Sequence, residues 1–113
     1  MTDGNWVLRK ALCLMDEEAA DFQDRALDIL NVLRHEVYPY SDTFVHGGIC
    51  PEVKSLEQIL DLDDAVAQTA LPYGLAAHLL VGEDDQMASF FLQRYSELLR
   101  EIGRKKTAVW EEI

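Results

Sequence analysis

An all-α fold is predicted for this 113-residue chain, as a small bundle of three main helices plus a short N-terminal helix. Three observations predict it. Apolar residues recur at three- and four-residue intervals through most of the sequence. Residues 71–99 read as two apolar segments folded back on one another through an acidic turn, within a kinked helical hairpin spanning 63–102. Residues 38–54 form a long irregular segment that breaks the periodicity, with two of the three prolines and the Gly47-Gly48 pair. The length suits one domain, residues 1–113.

The first helix rests on Val7, Leu8, Ala11, Leu12 and Met15, with Thr2 or Asp3 as caps. Acids at Asp16, Glu17 and Glu18 then suit the first turn of a new helix. That second helix, from about Ala19 to Val37, repeats Phe22, Ala26, Ile29, Leu30, Leu33 and Val37 against a polar face of Asp21, Asp24, Arg25, Asp28 and Asn31. Pro39 stops it, because proline lacks an N–H and restricts its predecessor. Within the loop that follows, Thr43-Phe44-Val45 suits a brief strand pairing.

Ser55 and Gln58 have capping-box spacing and predict a short helical turn from Ser55 to Leu60. Asp61 or Asp63 caps a third main helix carrying Ala65, Val66, Ala70, Tyr73, Ala77 and Leu80. Pro72 lies inside it, and the apolar spacing carries across, so a kink is expected there. Gly82 suits the left-handed residue that ends a helix, and Asp84 or Asp85 caps the next one. Its apolar face is predicted as Met87, Phe91, Tyr95 (or Arg94), Leu98 and Ile102, widened by Phe90 and Leu99. Gly103 is expected to end it, and the tail KKTAVWEEI suits an extended arm over 104–113.

The formal net charge is −11, and it is uneven: residues 1–99 hold 18 acids and 6 bases, residues 100–113 hold 3 acids and 4 bases. An acidic surface repels phosphate, so sequence-specific nucleic-acid binding is not expected. The basic run Arg104, Lys105, Lys106 suits a solvated helix end. Cys13 and Cys50 make no disulfide framework, and the N-terminus has no signal-peptide pattern. The stretch Ala70 to Gly82 is too short and interrupted to span a bilayer. Reduced thiols inside a cell are the simplest setting.

No catalytic or cofactor-binding constellation emerges, and no enzyme, cofactor or metal is expected. His35-Glu36 begins like a zincin helix, but Pro39 stands where the second imidazole is needed. His46 and Cys50 offer two zinc ligands, and a site needs at least one more from Cys13, His35 or His78. Asp61-Leu62-Asp63-Asp64 resembles the start of a calcium loop, yet Val66 replaces the required glycine and Pro72 the twelfth-position acid. Gly47-Gly48 lacks the Lys-Ser/Thr of a phosphate loop.

Two stretches carry a family resemblance: LPYGLAAHLLVGEDDQMASFFLQRYSELL, and LDILNVLRHEVYPYSD running into ICPEVKSLEQILDLDD. Over about Leu27 to Leu99 the chain resembles small virion proteins of tailed phages and prophages, the head–tail connectors or head-completion adaptors. The resemblance implies a non-enzymatic helical subunit that forms a homo-oligomeric ring at the portal. Its neighbours would be portal and tail or stopper proteins, and DNA would pass through the channel. It implies no membrane partner, and places the chain in the bacterial cytoplasm at synthesis and in the virion when assembled. The tail KKTAVWEEI departs from the usual ending of such proteins. An acidic lumen would let DNA slide without sticking. The irregular loop and the arm are the segments expected to reach neighbours, so Tyr40, Phe44, Val45, Ile49, Val109 and Trp110 are the candidate intersubunit contacts. A competing class is a small acidic prophage-encoded interaction or regulatory module that grips a basic protein partner.

Overall fold

A ten-residue segment with no charged side chain, LPYGLAAHLL, has nothing to turn toward water except Tyr73 and His78, so it must lie inside the bundle. In the computed structural model, which describes residues 1–17, 22–41, 50 and 52–111 (residues 106–111 by backbone alone), this segment is helix α4, Leu71–Leu80. Every residue of it is buried apart from the half-buried Tyr73 and the exposed His78. Around it pack α1 (Gly4–Met15), α2 (Gln23–Val37), α3 (Asp64–Thr69) and α5 (Asp85–Glu111). One apolar cluster joins all five, and no strand occurs among the described residues beyond an isolated pairing of Asp3 with Ile59. The molecule is a small all-α bundle.

Helix α1 begins where Asp3 accepts a hydrogen bond from the Trp6 N–H at 2.8 Å, and it stops at Asp16 in the left-handed conformation, φ 56°. Its buried stripe is Val7, Leu8, Ala11 and Leu12. The described part of α2 starts at Gln23, and residues 18–21, predicted as its first turn, lie outside the described residues. Ala26, Leu30, Leu33 and Val37 form its core stripe, and Pro39 ends it through a 3-10 turn, Tyr38–Tyr40. The suggested pairing of Thr43-Phe44-Val45 also lies outside the described residues.

Of the helical turn expected from Ser55 to Leu60 only the first part forms, closed by the Gln58 N–H donating to the Ser55 carbonyl at 3.3 Å. Gln58 does reach back as a capping residue would, its Oε1 accepting from the Lys54 N–H at 2.9 Å. The rest of the backbone is committed elsewhere. The Leu56 carbonyl accepts from the Asn5 N–H, and the Leu60 N–H donates to the Thr2 carbonyl, each at 2.9 Å. Buried α2 side chains take further groups: Asn31 both donates to and accepts from Val53, and Arg34 Nε donates to the Leu60 carbonyl at 2.7 Å. These bonds satisfy an irregular backbone that is partly out of water, and they leave no set of groups for a helix.

At Pro72 the expected kink appears as a break of one residue, Ala70, between two helices. Ala70 separates α3 from α4 yet keeps helical angles, φ −89° and ψ −42°, and still accepts from the Gly74 N–H at 3.2 Å. Proline removes one bond of the ladder without reversing the chain, which makes this a kink over one residue. Asp63 caps α3 by position, and Asp61 takes a left-handed φ of 55°. The link to α5 follows its sequence closely. Gly82 has φ 89°, Asp84 Oδ1 accepts from the Met87 N–H, and Asp85 Oδ1 accepts from the Gly82 N–H.

Two expectations about α5 are corrected. Its core stripe is Ala88, Phe91, Tyr95, Leu98 and Leu99 with half-buried Ile102, while Met87 and Phe90 are largely exposed. Helix α5 also passes through Gly103 and continues to Glu111, so residues 104–111 are helical rather than an extended arm. One glycine costs a helix only about 1 kcal/mol. Here its missing side chain makes room for the Tyr40 ring, whose Cε1 lies 3.2 Å from where a Cβ would stand.

Candidate interaction surface

The polar groups of this bundle with perturbed titration serve its packing. Tyr95 is buried in α5 and its hydroxyl donates to Glu36 of α2. Burial first, and the Glu36 carboxylate second, push the phenol far above its ordinary value, so it stays protonated. Asp64 is held below the usual carboxylate range, chiefly by the Thr2 hydroxyl at 2.7 Å and next by the N-terminal ammonium at 3.1 Å. That cluster ties the N-terminus to the start of α3. Neither group stands beside a nucleophile.

The residues weighed as metal ligands stay apart. Cys50 is buried, and Cys13 and His78 are exposed on α1 and α4. His35 Nδ1 lies 2.8 Å from the Asn31 carbonyl of its own helix. His46 lies outside the described residues. Among the described residues no three His, Cys, Asp or Glu side chains converge as a metal site. No helix among them is long and apolar enough to cross a membrane.

What remains is a surface feature. Side chains at Arg25, Ile29, Val32 and Glu36 follow four-, three- and four-residue spacing along one shoulder of α2. The two ends of that row point the same way: Arg25 reaches the His78 carbonyl at the end of α4, and Glu36 takes the Tyr95 hydroxyl of α5. Val32 belongs to the same row, and it is 61% exposed. Across from it runs a row of α5 residues, Asp85, Ser89, Leu92 and Ser96. Two depressions lie along this row and share Leu92. One, of about 210 Å³, is walled by Ala77, His78, Val81, Asp85, Ala88 and Ser89. The other, of about 410 Å³, is walled by Glu36, Tyr40, Tyr95, Ser96, Leu99 and Arg100.

Together they make a groove along α5, walled at one end by the end of α4 and at the other by Glu36 and Tyr40. From Asp85 to Arg100 it follows α5 for about 22 Å at 1.5 Å per residue. Val81 and Leu92, which line it, are 61% and 47% exposed, two large apolar side chains on a strongly acidic molecule. Apolar groups gathered on one surface point to contact with another molecule more than singly scattered ones do. Acids Glu83, Asp84 and Asp85 crowd one end of the groove, and all three are exposed.

The predicted intersubunit contacts fare differently. Tyr40 is half-buried at the other end of the groove and packs on Gly103 of its own chain. Phe44, Val45 and Ile49 lie outside the described residues. Val109 and Trp110 are on the last turns of α5, and their side chains lie outside the description. Val32, Val81 and Leu92 were not among the predicted contacts. A partial signal for two of them existed, since Val32 and Leu92 are among the large aliphatic residues that fall off the core stripes of α2 and α5.

No family model matches the chain, and no curated protein or solved structure matches it.

Proposed function

We propose that this chain is a non-enzymatic virion structural protein of a phage or prophage, a head–tail connector or adaptor subunit that assembles into a ring at the portal. The observation that carries this reading is the order of the α4–α5 segment, an alanine-rich helix, an acidic turn and an F-x-x-x-Y-x-x-x-L helix, which resembles those proteins. Three further features support it. The bundle is helical, as the resemblance implies. Its perturbed polar groups serve packing. Its acidic surface carries an apolar groove suited to another protein.

A second reading, the small acidic interaction or regulatory module that grips a basic protein, draws support from Glu83, Asp84 and Asp85 beside exposed Val81 and Leu92. The two diverge in a particle experiment. Phage particles from the source strain are banded on a density gradient and probed with antibody to this chain. The connector reading expects co-sedimentation with portal-containing particles and gold label at one vertex. Recovery only in the soluble fraction, in a one-to-one complex with a basic protein, overturns it in favour of the module.

A further inference from the structure

The row of α5 that lines the two depressions has the same pattern in either direction. Asp85, Ser89, Leu92, Ser96 and Arg100 are spaced by four, three, four and four residues, so they share one shoulder of the helix, and all five are exposed. Positions 85 and 100, and positions 89 and 96, are symmetric about one point, between Leu92 and Gln93. Serine therefore answers serine and an acid answers a base, with a large apolar side chain at the centre. Asp85 accepts from the Gly82 N–H, and Arg100 shares its depression with Glu36, whose carboxylate takes the Tyr95 hydroxyl. Among the described residues neither Asp85 nor Arg100 forms an ion pair.

A row with this symmetry is complementary to itself turned end for end. We propose that the groove along α5 is covered by the same groove of a second copy of this chain, with the two α5 helices antiparallel about a two-fold axis near Leu92. The axis sets Asp85 of each copy against the partner's Arg100, twice over, and Ser89 against the partner's Ser96. Serines at those places let the helices approach to the roughly 8–10 Å of ordinary helix packing. Leu92 meets its symmetry mate, which takes a side chain 47% exposed in the single copy out of water. The smaller depression of each copy faces the larger one of the other, so exposed Val81 comes over the 410 Å³ depression. Exposed Arg104, one turn beyond Arg100, comes level with the partner's acidic turn. The contact is isologous and closes at two copies. One helix pair about 22 Å long lies at the small end of protein interfaces, so the dimer is weak and depends on concentration. A pair that closes on itself is not a ring contact, and it stands whether or not the chain enters a particle.

The test uses the full chain and two charge variants, Arg100→Glu and Asp85→Arg. Light scattering coupled to size exclusion, from about 10 µM to about 1 mM in about 150 mM salt, is expected to show wild-type mass rising from one copy toward two and stopping there. Each variant alone should dimerise about tenfold more weakly or worse, because two attractive pairs become repulsive. An equimolar mixture should recover the dimer, since a mixed pair again sets an acid against a base at both ends. Asp85 also accepts the Gly82 N–H, so circular dichroism with a thermal scan establishes that its variant is folded. A second measurement does not depend on that variant. On a Cys13→Ser background, Leu92→Cys lies beside its symmetry mate and should give a disulfide-linked dimer on mild oxidation. Phe90→Cys, about 200° around the helix from Leu92, should not. Dimerisation of Arg100→Glu at wild-type affinity overturns the interface, as does a mixture of folded variants no more dimeric than its components. So does equal cross-linking at the two cysteine positions, or mass rising past two copies, which marks an open head-to-tail contact. A wild-type chain that is monomeric throughout also overturns it, and leaves the groove to a different protein.

Discussion

Tyr95 joins the two walls of the groove, and its chemistry gives a pH signature. Its hydroxyl donates to Glu36, and the ring is 2% exposed. Replacing it by Phe removes one hydrogen bond to a carboxylate that keeps access to water, at an expected cost of about 1–2 kcal/mol at pH 7. The folded-state value lies above the unfolded value of 10.0. The protonated phenol therefore stabilises the fold fully below pH 10, and that contribution is lost as pH rises through the folded-state value. Urea midpoints from pH 7 to 11 should show wild type ahead of Tyr95→Phe by a constant margin up to about pH 9, with the margin shrinking above pH 10. A margin independent of pH would mean that the hydroxyl is solvated in solution. The same ring sets a steric limit on α4. A Cβ at Gly74 would lie 2.9 Å from Tyr95 Cε1 and 3.3 Å from Leu33 Cδ2. Gly74→Ala should thus destabilise by about 1–3 kcal/mol, despite alanine's helix preference of about 1 kcal/mol. Made on the Tyr95→Phe background, where the ring is free to shift, the cost should fall. An equal cost on both backgrounds would show that the Tyr95–Glu36 bond does not hold the ring in place.

At the scale of elements, the hairpin was legible because its signals are local. Gly82 takes the left-handed angle that a non-glycine residue would resist, and Asp84 and Asp85 each cap a backbone N–H within three residues. The uncharged run of α4 likewise announced its burial, and Ala76 and Ala77 are 0% and 3% exposed. Replacing either by Leu should overpack the bundle and cost about 1–3 kcal/mol, measured as a fall in the denaturant midpoint. Ala77→Leu should also reduce the depression it walls beside Ala88 and Leu92. An unchanged midpoint would place these residues away from a helix contact. The misread elements were those decided by distant partners. The Ser55–Gln58 spacing yields one hydrogen-bonded turn and no more, because Thr2, Asn5 and Arg34 claim the backbone at Leu56 and Leu60. Gly103 looked like a stop, but Tyr40 packs against it, and Arg104, Lys105 and Lys106 are good helix formers that carry α5 onward. Met87 and Phe90 obeyed helical spacing with Phe91, and only the approach of α4 decides which shoulder of that broad stripe is buried. The groove was harder still, because its walls come from α2, α4 and α5 and no local pattern unites them. Leu92 was its trace in sequence.

For the whole molecule, the decisive quantity is how fold and assembly divide along α5. Its 27 residues run for about 40 Å, comparable to the 47 Å longest dimension, whereas its main neighbour α4 has ten residues. The buried or half-buried apolar residues described along it end at Ile102, and Tyr40 on Gly103 marks the far end of the groove. If the remaining turns serve a neighbour, removing them should separate two properties that a core element would lose together. Deleting residues 107–113 removes Val109 and Trp110 but keeps Arg104, Lys105 and every described core contact. The truncated chain should melt within about 4 °C of the full chain, the shift expected of changes worth no more than about 0.5–1 kcal/mol. Its assembly by light scattering should fall at least tenfold in apparent affinity, because the basic stretch alone supplies a contact that salt screens. A fall in melting temperature of more than about 10 °C, with assembly lost only as a consequence, would instead place Trp110 in the chain's own core.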